Sequence, residues 1–95
     1  MRQKPRKDMN QTDIVFALRQ AGCSVADTAA LGHGFPDLVV GLRGKNFLLE
    51  VKDGSLPPSR QKLTDDESAF HENWRGQIFV VTSVEEAIAV VFGDT

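Results

Sequence analysis

The chain has 95 residues, 41% of them hydrophobic and 25% charged, with a formal net charge of −2. That describes one soluble globular domain with a modest core and argues against a nucleic-acid binder that uses its whole surface, while a local basic patch stays available. The single Cys23 excludes an internal disulfide and a cysteine zinc site, and with neither a signal-peptide core nor a long apolar run, a cytoplasmic protein with no membrane partner is expected.

Residues 1–9 read as a flexible basic terminus and 10–95 as one domain. Arg2, Lys4, Arg6 and Lys7 are either solvated or form an arm that reaches a phosphate backbone. From residue 10 to 21 the apolar positions Ile14, Ala17, Leu18 and Ala21 are spaced as on a helix. Asn10 is the expected N-cap, which would place Asp13 at the third helical position as a capping carboxylate. Gly22 ends the helix, and a short strand is expected over 23–27. A small-residue loop follows, and its His33 has no acidic partner nearby in sequence.

Next comes a β-hairpin. Two apolar runs, 38–42 and 47–51, flank the polar turn Arg43-Gly44-Lys45-Asn46. A two-residue loop sets Asp37 opposite Glu50, and a four-residue loop sets it opposite Lys52. In either register Asp37, Glu50 and Lys52 share one face, because side chains alternate along a strand. The opposite face, Leu38, Val40, Phe47, Leu49 and Val51, is wholly apolar, and a pair of this kind is usually covered on both sides. Two carboxylates are thus placed where burial is expected, and like charges opposite each other oppose pairing. A hard divalent cation, bound through carboxylate oxygens and a substrate phosphate, would relieve that conflict.

After the hairpin, Ser55-Leu56-Pro57-Pro58 breaks regular structure. Arg60, Gln61 and Lys62 then form either a solvated connector or a phosphate-gripping segment. Thr64 to Glu67 is a capping box for a helix over 65–74, with Phe70 and Trp74 turned inward. His71, four residues beyond Glu67, either shares that residue's face or is a surface histidine, the default reading. A buried strand over 77–82 and a second capping box, Ser83 to Glu86, lead into a final helix over 87–92. That helix is apolar nearly all round, which suggests contact with a second subunit.

Pro36-Asp37, with Glu50-Val51-Lys52 after a twelve-residue gap, resembles the PD-(D/E)xK nuclease signature. Gly-Phe-Pro-Asp-Leu-Val-Val and Leu-Leu-Glu-Val-Lys-Asp-Gly around it are similar to phage-type members of the virus-type replication-repair nuclease (VRR-NUC) branch. The resemblance spans about residues 10–89. It implies an α/β, restriction-endonuclease-like αβββαβ core, a mixed central sheet flanked by helices, with the C-terminal helix added. It also implies a divalent-metal-dependent endodeoxyribonuclease acting on branched or four-way DNA as a homodimer. Asp37, Glu50 and the Val51 carbonyl would bind Mg²⁺ or Mn²⁺, and Lys52 would act on the phosphate or the attacking water. Asp13 occupies the place of the family's early-helix acidic residue, usually Glu. Glu67 stands where relatives often carry Gln at the border of the site. The competing readings are a non-cleaving nucleic-acid-binding module on the same fold and a phage assembly protein.

Overall fold

Among the described residues, four strands and three α-helices follow in the order α1 (Arg6–Gln20), β1 (Ser24–Asp27), β2 (Leu38–Leu42), β3 (Lys45–Val51), α2 (Asp65–Asn73), β4 (Ile78–Val81) and α3 (Val84–Phe92). The computed structural model describes residues 6–93, with side chains from residue 10 onward. The strands lie side by side in chain order; β1–β2 and β2–β3 are antiparallel and β3–β4 is parallel. The architecture is the mixed α/β arrangement expected from the sequence. No described helix is long and apolar enough to cross a membrane.

The hairpin register follows from its turn. Arg43 and Gly44 both have positive φ, 55° and 81°, as the tight two-residue turns that match strand twist require. Leu42 therefore pairs with Lys45 and Leu38 with Leu49. One step further, Asp37 falls opposite Glu50, which selects the first of the two registers. Arg43 lies over the Phe92 ring, 5.7 Å from its centroid, tying the hairpin tip to the end of α3.

The two faces of the sheet are covered differently. Leu38, Val40, Phe47, Leu49 and Val51 point to one side, where Ile14 and Leu18 of α1 and Ala87 and Val91 of α3 complete the core with Val81 and Cys23. The other side carries Glu50 and Leu48. The segment before β2 and helix α2 approach each other over it: Phe35 meets Phe70 edge-on at 5.2 Å. Gly34 makes that approach possible. It has φ 81°, and a Cβ there would collide with the main-chain carbonyl of Asp66.

Several expectations are corrected. The first helix starts at Arg6, so Asn10 lies inside it and is no N-cap, and Asp13 is not at the third position. Arg2 and Lys4 lie outside the described residues, and the side chains of Arg6 and Lys7 are likewise not described. The C-terminal helix turns its apolar surface inward: Ala87 and Val91 are buried, and Val84, Ile88, Val90 and Phe92 pack against the core. The exposed large apolar side chains are instead Phe16, Leu31, Trp74, Phe79 and Val80. The second capping box is half formed. Ser83 Oγ accepts the Glu86 amide, but Glu86 Oε1 accepts from the amide and hydroxyl of Thr82, at 2.6 and 2.8 Å.

Candidate active site

Asp37 is fixed by the strands on either side of it. The Thr28 amide donates to its carbonyl, and the Thr28 hydroxyl donates to the Pro36 carbonyl. Its own Oδ2 accepts the Val51 amide at 2.8 Å. In extended backbone the N–H and C=O of one residue point to the same neighbour. The Val51 carbonyl therefore faces the Asp37 side as well.

Glu50 is 1% exposed, Asp37 7% and Lys52 8%, so three ionisable groups are buried together at the ends of two strands. Neither carboxyl oxygen of Glu50 has a hydrogen-bond partner. Burial, then the nearby Asp37 and then Glu67, pushes its pKa up to about 9. Its surroundings thus oppose the charged form of this carboxyl.

Lys52 follows Glu50 by two residues, so its side chain emerges on the same face. Its Nζ is 3.7 Å from Glu50 Oε2, too far for a hydrogen bond, and 2.7 Å from Glu67 Oε1. Glu67 Oε1 also accepts the Thr64 amide, and the Glu67 amide donates to the Thr64 hydroxyl. The capping box of α2 and the anchor of Lys52 are thus one carboxylate. Burial alone would raise the Glu67 pKa. The Lys52 ammonium and the Thr64 amide outweigh it and hold the group down at about 2.

Sequence reasoning misses Asn10 and gives His71 only as an alternative. The Asn10 side-chain amide donates to the Lys52 carbonyl at 2.8 Å and the Thr82 carbonyl at 3.2 Å, clasping the ends of β3 and β4. His71, half-buried, feels both Glu67 and Lys52, and burial pulls its pKa down. Its position four residues after Glu67 was the one available signal. Asp13 is exposed on α1, and the charges that act on Glu50 come from Asp37 and Glu67. Arg60 and Lys62 are exposed, whereas Gln61 spends its amide on the carbonyls of Leu56 and Gly54. Asp53 closes the turn after β3 by accepting the amide and hydroxyl of Ser55.

Among the described residues, no group of three or more His, Cys, Asp and Glu side chains is arranged to hold a metal ion. The candidate ligand set falls below that count, with two carboxylates and a carbonyl. A solved structure described as a VRR-NUC domain superimposes with a TM-score of 0.72 at 24% identity, over 97% of this chain and 100% of that one. The fold is that of a VRR-NUC domain. No family model and no curated protein matches the sequence. Within this VRR-NUC fold, Asp37 and Glu50 lie at the adjacent ends of β2 and β3, and Lys52 follows β3 directly.

The donor set fits a hard cation. Glu50 presents two buried oxygens with no hydrogen-bond partner beside a second carboxylate, an arrangement that costs free energy until a positive charge is shared closely. Lys52 does not supply that charge at close range, because its hydrogen bond goes to Glu67.

Proposed function

We propose that the protein is a divalent-metal-dependent DNA nuclease that hydrolyses phosphodiester bonds. One observation carries this reading: Glu50 is buried beside Asp37 with neither oxygen hydrogen-bonded, and the Lys52 ammonium 3.7 Å away gives its hydrogen bond to a different carboxylate. The VRR-NUC fold supports it.

Asp37 and Glu50, with the Val51 carbonyl, would hold Mg²⁺ or Mn²⁺, which when bound polarises a phosphate and lowers the pKa of a coordinated water. The protein's own groups do the rest. The Val51 amide fixes the Asp37 carboxylate. Glu67 holds the Lys52 ammonium in place, so that it faces the charge that develops on a phosphate in the transition state. The buried walls strengthen each of these interactions relative to water.

Branched or four-way DNA is the proposed substrate and a pair of chains the proposed working unit. Two copies would join along β4, an edge strand whose Phe79 and Val80 are 37% and 41% exposed. Sedimentation at micromolar concentration is expected to show a dimer that Val80→Lys dissociates.

Incubation with Mn²⁺ and a panel of duplex, flap and four-way DNAs tests the activity. Cleavage is expected, lost in Asp37→Ala with binding kept. Binding without metal-dependent cleavage of any substrate would make the protein a non-cleaving module.

A further inference from the structure

Helix α2 presents more to the site than Glu67. Phe70 and Trp74 continue along the same side, three and seven residues on. The Trp74 ring stacks on Phe70 with centroids 5.3 Å apart and planes 16° from parallel. Phe70 in turn meets Phe35 edge-on, 73° between planes, and Phe35 immediately precedes Pro36-Asp37. A ladder of three rings thus runs outward from the segment that carries the first carboxylate.

The outer rung is open and rigid. Trp74 is 43% exposed, although burying an indole is among the larger apolar gains available to a small domain. Its amide donates to the Phe70 carbonyl at 3.0 Å. A Cβ at Gly76 would sit 2.9 Å from its Nε1, so the returning chain hugs the ring. Phe70 supports one ring face. Beside it lies a groove of about 310 Å³, lined by His33, Asp66, Ala69, Phe70, Asn73 and Trp74. That is the low end of small-ligand sites, and its lining combines the apolar Ala69, Phe70 and Trp74 with the polar His33, Asp66 and Asn73. The other large exposed apolar side chains lie on α1, β1–β2 and β4 rather than α2. One flat exposed aromatic with His33, Asp66 and Asn73 beside it suits a planar heterocycle better than a protein surface.

Spacing ties this ring to the scissile position. Glu67 and Trp74 are seven residues apart, and at about 1.5 Å per residue this is about 10 Å along the helix axis. Stacked bases are separated by about 3.4 Å, so the offset between the two backbone positions is about three base steps. Arg75, next in the chain, is exposed.

We infer that Trp74, backed by Phe70, is a stacking platform for an unpaired nucleobase a few nucleotides from the phosphodiester held at Asp37, Glu50 and Lys52. The inference rests on the nuclease reading and narrows it: the preferred DNA is single-stranded on one side of the cut, as at a flap or branch. A base inside a duplex has both faces occupied by its neighbours and cannot use the ring. Base-on-aromatic stacking is tolerant of sequence, so little sequence preference is expected from this contact.

The chain has one tryptophan and no tyrosine, so its intrinsic indole fluorescence reports Trp74 alone. The full-length protein in EDTA is titrated with a mixed-sequence single strand, a blunt duplex and an abasic strand of equal length, with binding followed separately by anisotropy of labelled DNA. Saturable quenching is expected with the single strand, and little with the duplex or the abasic strand. Trp74→Ala should weaken single-strand binding about tenfold, and Trp74→Phe should restore most of it, which a purely structural role would not require. Equal quenching by the abasic strand, or unchanged single-strand affinity in Trp74→Ala, would overturn the platform. Cleavage with Mn²⁺ separates the two readings. Base-dependent quenching without cleavage of any DNA keeps the platform and removes the nuclease. Cleavage without base-dependent quenching does the reverse.

Discussion

Lys52 Nζ lies 2.7 Å from Glu67 Oε1, and the same oxygen accepts the Thr64 amide at 2.9 Å. One carboxylate therefore starts α2 and aims the lysine that follows β3. Glu67→Ala removes both roles. It is expected to lower stability by about 0.5–2 kcal/mol, as loss of a helix cap does, and to reduce cleavage more than binding. Glu67→Gln keeps an oxygen for Thr64 but not the charge, so it should cost less stability and still reduce cleavage. Denaturant unfolding and single-turnover kinetics on the two variants check this.

The pH dependence of the same pair has a definite sign. The Glu67 pKa is about 2 in the folded protein against an ordinary value of 4.5. Its contribution to stability is full above the unfolded value and is lost as pH falls from there through about 2. In Glu67→Gln that acid-side loss should shrink, as measured by thermal unfolding between pH 5 and 2.

Glu50 behaves in the opposite sense. Its folded pKa is raised from 4.5 to about 9. Between those values the folded state binds the extra proton, so the metal-free protein loses stability as pH rises, at up to about 1.4 kcal/mol per pH unit for one proton. Glu50→Gln should flatten that slope and stabilise the metal-free protein at pH 8, while removing cleavage. A Glu50→Gln protein less stable than wild type at pH 8 would contradict the burial assigned to this carboxyl.

Asn10 is expected to matter for stability although it touches no substrate. Its amide satisfies the carbonyls of Lys52 and Thr82. Asn10→Ala leaves them without that partner, at a cost of about 1–3 kcal/mol, and loosens the main chain next to Lys52. A fall in kcat with KM little changed, alongside the loss of stability, is the expected result.

Gly34→Ala tests the fit between the loop and α2. With φ at 81° and the Asp66 carbonyl carbon 2.6 Å from where a Cβ would stand, the substitution must displace α2 or the loop. It is expected to destabilise by more than the ~1 kcal/mol of an ordinary glycine-to-alanine change and to lower activity by shifting Glu67. Chemical denaturation compared with Gly44→Ala, where nothing lies within 4 Å, provides the control.

The carboxylates were legible in the sequence because they interrupt a hairpin that is otherwise apolar on both faces, and strand parity alone puts Asp37, Glu50 and Lys52 together. The sequence leaves the register open because the polar turn allows two loop lengths; the positive φ of Arg43 and Gly44 selects one. Asn10 was misread because an asparagine ahead of an apolar helical run looks like a cap, and its true partners are 42 and 72 residues away. Glu67 was half legible: the capping box is local, whereas the reach to Lys52 depends on how α2 packs over the sheet. The apolar α3 suggested a subunit contact because nothing in its own sequence reveals that α1 and the hairpin cover it.

The central claim is that Asp37, Glu50 and the Val51 carbonyl form one cation site beside Lys52. A crystal soaked in Mn²⁺ with anomalous data collected tests it most directly. The account predicts a single peak within about 2.0–2.3 Å of oxygens from all three residues, with Lys52 still on Glu67. An empty site, with Glu50 instead hydrogen-bonded to Lys52, would contradict it.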